Sequence, residues 1–336
     1  MPLITQPTRI FDPHCDTLDR LALHDAMPEA GFMAEDAAIP AHRMNSLADN
    51  DAHIDLTRMA RAGYAWCQCF AAFIPDDIGV EGGLRVFDTV RRYFESQLKQ
   101  HAALIEQVRD ARDIRGIVES GRCAAVFTVE GGSFIGEELD RIHEAADAGV
   151  KMLTLTWNGK NAIASGNTTG DGLSSFGRDA VRALEQRRVV VDVSHLNDRS
   201  FWDVLDVVQR PLAASHSNAR AVCGHPRNLT DDQFRALAER GGIVGLNFCE
   251  RFLADAGPAT HDDVLRHVDR MLELGGERAV ALGSDYDGCD VPAWLAPAEK
   301  VGVLYDLFSR EFGEQIASAI CFENACAFFE RNETAS

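Results

Sequence analysis

The chain has 336 residues, 46% of them hydrophobic and 25% charged, which excludes a disordered polar chain and supplies enough apolar surface for a sizeable core. Its net charge of -19 comes from 33 basic and 52 acidic residues without a basic stripe, so no nucleic-acid backbone is an expected partner and the acid reads as a solubilising surface. No stretch approaches the roughly 20 apolar residues of a membrane span, the opening MPLITQPTRI lacks the pattern of a signal peptide, and the expected location is the cytoplasm.

Short apolar runs alternate with longer amphipathic stretches. Runs that predict strands cover residues 9–12, 64–73, 123–129, 151–156, 189–193, 211–215, 243–248 and 279–284, with the bounds and apolar bias of buried strands. Between them, helical periodicity is read over 83–101, 137–148, 177–186, 231–240 and 261–274, each long enough for a crossover. Eight strands alternating with helices predict one (β/α)8 TIM-like barrel domain over 1–336, with short extensions at each end. An open doubly wound sheet would call for a glycine-rich phosphate turn after the first strand, and 13–20 contains none. The nine cysteines are scattered rather than spaced as a disulfide framework, and the Cys67/Cys69 pair has no second Cys/His pair near it to make a zinc ribbon.

Barrel chemistry belongs at the carboxyl ends of the strands. The first strand ends in Asp-Pro-His14-Cys-Asp16, the third in Val-Glu130-Gly-Gly, the fifth in Asp-Val-Ser-His195, the sixth in Ala-Ser-His216-Ser and the eighth in Gly-Ser-Asp285-Tyr-Asp287-Gly. Any one of these is accounted for by a hydrogen-bonded rim residue, but a single metal site accounts for all five. Side chains two apart on a strand share a face, so His14 and Asp16 can grip one ion while Cys15 points away. His195 and His216, from neighbouring strands, can share a second ion, and Glu130 can bridge the two through its two oxygens. Ions about 3.5 to 4 Å apart fit such a bridge. Other two-metal barrels begin His-x-His and use a modified lysine ending strand four; here Lys151 starts its strand and Lys160 lies in the loop beyond Trp157.

These motifs, together with Leu-Thr-Leu-Thr before Trp157 and Ser-His216-Ser followed by Arg227-Asn228, resemble those of the membrane (renal) dipeptidase family of zinc peptidases in order and separation, through nearly the whole chain. The resemblance implies that His14, Asp16 and Glu130 bind one Zn2+, that Glu130, His195 and His216 bind the other, and that Asp285 transfers protons. It implies that Arg227 holds the substrate's C-terminal carboxylate, a bidentate task suited to a guanidinium. Where many family members carry a substrate-contacting histidine, this chain has Trp157, whose indole donates one hydrogen bond and cannot titrate; Asn158 or a metal ion is the candidate to take over the oxyanion role. The family's mammalian members are membrane-anchored, whereas the closing Asn-Glu-Thr-Ala-Ser carries no anchor signal.

The expected activity is therefore metal-dependent hydrolysis of small dipeptides, including ones with a D residue at the C-terminal position, through a hydroxide bridging two metal ions. Partners are dipeptides and, as an expectation, further copies of the chain. Hydrolysis of another small amide, such as an N-acyl amino acid or a β-lactam, is the alternative enzyme reading. A metal-binding regulatory protein without turnover is the reading from another class.

Overall fold

The computed structural model describes residues 8–24 and 43–334. The opening segment 1–7 and the last two residues, on which the expectations about a signal or an anchor bear, lie outside the described residues.

Eight parallel strands follow one another around a barrel: β1 (Arg9–Asp12), β2 (Ala65–Phe73), β4 (Cys123–Glu130), β5 (Val150–Thr154), β6 (Val190–Asp192), β7 (Ala213–Ala214), β8 (Ile243–Leu246) and β9 (Val280–Leu282). A short strand absent from the sequence reading, β3 (Ile105–Gln107), pairs with β4 outside that path. Its three residues are too few for a period to show. The ends of β9 and β1 meet just beyond the strands, through a parallel bridge between Cys15 and Tyr286, with Asp16 N–H donating to the Tyr286 carbonyl at 2.8 Å.

The observed strands begin within a residue or two of the predicted runs and several stop earlier, β6 at Asp192 and β7 at Ala214. The apolar runs continue past the ladder because the loops at this end are buried as well. The predicted helices form as Gly79–Gln100, Asp140–Asp147, Ser175–Gln186, Asp231–Glu239 and His261–Glu273. The last two start at capping boxes, Thr230 with Gln233 and Thr260 with Asp263, which satisfy otherwise unpaired N-terminal N–H groups. Shorter helices at Thr17–His24, Leu56–Ala62 and Asp198–Leu205 were not foreseen; two turns give the amphipathic pattern little to repeat.

Alternation along the strands sorts the core into two layers. Phe11, Cys67, Cys69, Val126, Met152, Val190, Ala213, Ile243 and Ala281 gather in one cluster, together with the C-terminal residues Phe322, Phe328 and Phe329. Ile10, Trp66, Phe70, Phe127, Leu153, Val191, Val244 and Leu282 belong to the larger cluster shared with the helices. Cys67 and Cys69 are thus fully buried packing residues two apart on one strand face. Phe11 stacks on Phe329 at 5.4 Å, which seats the C-terminal helix Asn324–Thr334 against the amino-terminal end of the barrel. Lys151, at the start of β5, is tied to Glu333 of that helix at 2.9 Å, at the opposite end from the strand tips.

Closure depends on a buried carboxylate. Asp12 accepts from Ser284 N at 2.8 Å and from Ser284 Oγ at 2.6 Å, and also from Gln68 Nε2 at 3.1 Å. It therefore joins β1 to the β9 turn on one side and to β2 on the other. Asp12→Ala would take their carboxylate acceptor from the buried N–H groups of Ser284 and His14, at a cost of about 3 kcal/mol, which urea unfolding should register as a clear fall in the midpoint; Asp12→Asn, which keeps an acceptor, should cost less.

Candidate metal centre and substrate cleft

At the carboxyl end of the barrel the structure brings His14, Asp16, Glu130, His195, His216 and Asp285 into one cluster, each less than one-tenth exposed. Glu130 sits between the others: its Oε1 lies 2.7 Å from His195 Nε2 and 3.7 Å from His216 Nε2, and its Oε2 lies 3.4 Å from His14 Nε2. His14 Nε2 is also 3.4 Å from Asp16 Oδ2 and 3.8 Å from Asp285 Oδ1, and the His14 and His216 rings stack at 3.8 Å. Two triads result, His14 with Glu130 and His216, and His14 with Asp16 and Asp285; in each the ligand atoms lie within 4.8 Å of one another.

Strand periodicity alone does not aim these groups. His195 and Asp285 lie beyond the last paired residues of their strands with φ of 69° and 60°, left-handed conformations that cost a non-glycine residue of order 1 kcal/mol and persist where the surroundings enforce them. The turn at Asp285 also requires Gly288, since a Cβ there would fall 2.0 Å from Asp16 Oδ2 and 2.4 Å from Asp285 Oδ1.

Hydrogen bonds behind the histidines decide which ring nitrogens face the cluster. Ser215 Oγ gives its proton to Asp192 Oδ2 at 2.6 Å, so at 2.7 Å from His216 Nδ1 it accepts. Nδ1 of His216 then carries the hydrogen and Nε2 a lone pair. Asn158 Oδ1 receives Asn167 Nδ2 at 2.6 Å and His195 Nδ1 at 2.9 Å, which leaves the His195 Nε2 lone pair facing inward as well. Those two Nε2 atoms stand 2.9 Å apart. Neither can donate to the other, and Glu130 Oε1 faces both.

The charge distribution follows from this crowding. Burial lowers His195, and Arg227 adds to the effect; burial lowers His216 further, helped by His14 and Arg227. Burial opposes the charged form of His14 too, but Asp16 and Glu130 raise it well above the ordinary histidine value. Burial would raise Glu130, yet His195 and His14 hold it well below the usual carboxylate range. Asp16, buried and facing Glu130, is pushed up to about 7 even with His14 beside it. His14 Nε2 and Asp16 Oδ1 are buried with no hydrogen-bond partner. A pocket of inward lone pairs and unpartnered carboxylate oxygen fits divalent cations, and the nitrogen and oxygen donors suit zinc and its neighbours in the first transition row.

Asp285 Oδ2 accepts from Asn247 Nδ2 at 2.9 Å. Neither Asn247 nor Asp192 was singled out from the sequence, because an Asn or Asp at the end of an apolar run is an ordinary turn residue unless its partners are known. Asn158, read from the sequence as a candidate for the oxyanion role, has its side-chain oxygen committed to His195 and Asn167 and so positions a candidate ligand. Arg227 is 6% exposed and lies over Phe252 at 5.4 Å, and its Nη2 donates to the His216 carbonyl at 3.4 Å while its Nε is unpartnered. Trp157 meets Phe73 edge-on at 5.1 Å and lies 6.5 Å from the His195 ring, forming an apolar wall beside the cluster. A cleft of about 310 Å³ opens over the site, bordered by Glu130, Trp157, His195, Arg227 and Asp285 and also by Arg20 and Arg251.

Residues 3–336 match the model of the membrane dipeptidase family, peptidase family M19. The chain belongs to that family. As a member it is a metal-dependent dipeptidase, a hydrolase of peptide bonds. A metallo peptidase of Rhodobacter sphaeroides, solved with a phosphinate mimic of the dipeptide L-Ala-D-Ala, is 27% identical, with 97% of this chain and 99% of that one covered at a TM-score of 0.85. The M19 metallo peptidase named dipeptidase AC is 28% identical with 98% and 100% covered, at a TM-score of 0.86. An uncharacterized dipeptidase of Schizosaccharomyces pombe is 31% identical over 334 residues, 91% of this chain and 75% of its own length. No helix among the described residues is long and apolar enough to cross a membrane.

If Ser215 fixes the His216 tautomer, Ser215→Ala should weaken metal retention about 10- to 100-fold. Competition against a chelator measures this directly, and kcat at saturating metal should change far less.

Proposed function

We propose that this dipeptidase works with two divalent ions, zinc in the simplest reading of the donor set, one held by His14, Asp16 and Glu130 and the other by Glu130, His195 and His216. The observation that carries the proposal is the Glu130 carboxylate: one oxygen lies within 3 Å of His195 Nε2 while the other faces His14, the disposition of a bridging ligand. When bound, the ions supply Lewis acidity, which makes water a nucleophile near neutral pH and polarises the scissile carbonyl.

The chain's own residues do the rest. Asp285, at 3.8 Å from His14 Nε2 and held by Asn247, takes a proton from the attacking water and returns it to the departing amine. Arg227, stiffened by Phe252 and the His216 carbonyl, binds the C-terminal carboxylate of the substrate. Its burial opposes its own charge, so an arriving carboxylate meets a guanidinium short of partners. Trp157 and Phe73 exclude water from one wall and leave no titrating group there, so proton transfer falls to Asp285. The phosphinate mimic of L-Ala-D-Ala bound by the Rhodobacter sphaeroides relative makes dipeptides with a D residue at the C-terminal position the first class to test. A cytoplasmic location is proposed on the nine cysteines, all buried and unpaired, as a reducing compartment keeps them.

Asp285→Asn should keep its metal and lose about 100- to 10,000-fold in kcat; a variant that lost metal in parallel would make Asp285 a ligand instead. Arg227→Ala should raise KM strongly for free-carboxylate dipeptides and little for their C-terminal amides. Equal effects on both would remove Arg227 from carboxylate binding.

A further inference from the structure

The proposed chemistry uses none of the nine cysteines, yet two of them stand in the wall of the cleft. Cys249 follows β8 and Cys289 lies in the turn after β9; both border the same cleft as Asp285. Their loops are tied together by Glu250 N–H, which donates to the Asp290 carbonyl at 3.0 Å. The two side chains lie close enough to interact, and Cys289 Sγ lies 3.5 Å from the Asp285 carbonyl oxygen. Cys249 N–H donates to Asn247 Oδ1 at 2.7 Å, and it is the same Asn247 whose Nδ2 holds the Asp285 carboxylate. The cysteine pair therefore touches the backbone of Asp285 through the Cys289 thiol and the residue that aims its side chain through the Cys249 N–H.

The pair also differs chemically from the remaining cysteines. Burial raises the other eight thiols, whereas the neighbouring Cys289 side chain holds Cys249 below the ordinary thiol value. A thiol whose ionisation is eased by its neighbour, reached from a cleft and beside a second thiol, is the arrangement of an attacking and a resolving cysteine.

We propose that Cys249 and Cys289 form a reversible oxidation site through which hydrogen peroxide switches off hydrolysis. The Cys249 thiolate attacks one peroxide oxygen, the O–O bond breaks and hydroxide leaves, giving a sulfenic acid. The Cys289 sulfur then attacks that sulfur, its thiol proton leaves with the displaced hydroxyl as water, and a disulfide remains. Two thiols and one peroxide thus yield one disulfide and two waters. An S–S bond of about 2.05 Å is far shorter than any non-bonded contact between two thiols, so closure draws the two loops together and removes the Cys289 thiol from the Asp285 carbonyl. The inhibitory part of the proposal rests on Asp285 being the proton-transfer group.

The metal-loaded enzyme should be treated with hydrogen peroxide, then assayed on a dipeptide and mapped by mass spectrometry. The expected result is loss of two hydrogens with a Cys249–Cys289 crosslinked peptide, kcat down about 100-fold, as for a lost proton-transfer group, and recovery of both with dithiothreitol. Cys249→Ser and Cys289→Ser, each active before treatment, should resist inactivation. A crosslink with undiminished turnover, peroxide inactivation that persists in both serine variants, or oxygen addition without any crosslink would each overturn the proposal. The crosslink is read without turnover, so an untreated enzyme inactive on every dipeptide would count against the proposed activity and leave the thiol chemistry to be judged on its own.

Discussion

Everything at the mouth of this barrel is organised around an excess of electron pairs. Two imidazole Nε2 atoms stand 2.9 Å apart with their hydrogens committed to the far side of each ring, and three carboxylates crowd the same space. Protons alone are a poor filling, because burial lowers both His195 and His216, and fully desolvated carboxylates cannot all stay charged without a cation. The left-handed turns at His195 and Asp285 make sense in the same light. Backbone strain of about 1 to 3 kcal/mol per residue is small beside the free energy of a bound divalent ion, about 10 kcal/mol or more in structural zinc sites.

Two buried carboxylates hold this arrangement from behind, in parallel ways. Asp12 accepts from the backbone N–H and hydroxyl of Ser284, and Asp192 accepts from the backbone N–H and hydroxyl of Ser215. Each fastens its own strand to the tip of another that carries a site residue, Asp285 in one case and His216 in the other. Asp192 also accepts from Thr154 Oγ1 at 2.6 Å, so β5, β6 and β7 are gripped by one side chain. A set of donor atoms that must hold its shape while poorly compensated needs such fastening, since mutual repulsion would otherwise spread the strand ends apart.

Much of this was legible in the chain, and the division has a physical basis. Eight apolar runs and the polar residues that end them are local signals, and they suffice to place His14, Asp16, Glu130, His195, His216 and Asp285 at one rim. What they cannot convey is how each group is turned. Nothing in Val-Ser-His marks which ring nitrogen turns inward, because the residue that holds the ring, Asn158, is 37 positions away. Asn158 itself reads as a loop amide facing substrate, and that its oxygen also holds His195 shows only in the fold. Short helices such as Asp198–Leu205, and the three-residue strand β3, escaped for want of length rather than through any conflict of propensity.

Trp157 is where these threads meet. Beside the histidine that Asn158 aims, the chain places an indole packed edge-on against Phe73, and so trades a titrating hydrogen-bonding group for apolar surface. Removing water from that wall strengthens the remaining electrostatic interactions in the cleft, chiefly those of Arg227 and Asp285. In the proposed mechanism it also leaves the proton chemistry to one carboxylate, which is held by Asn247 and by a turn that Gly288 keeps open. Concentrating the chemistry in this way makes the centre sensitive to small movements of the β9 turn, and it is against that turn that the thiol of Cys289 rests.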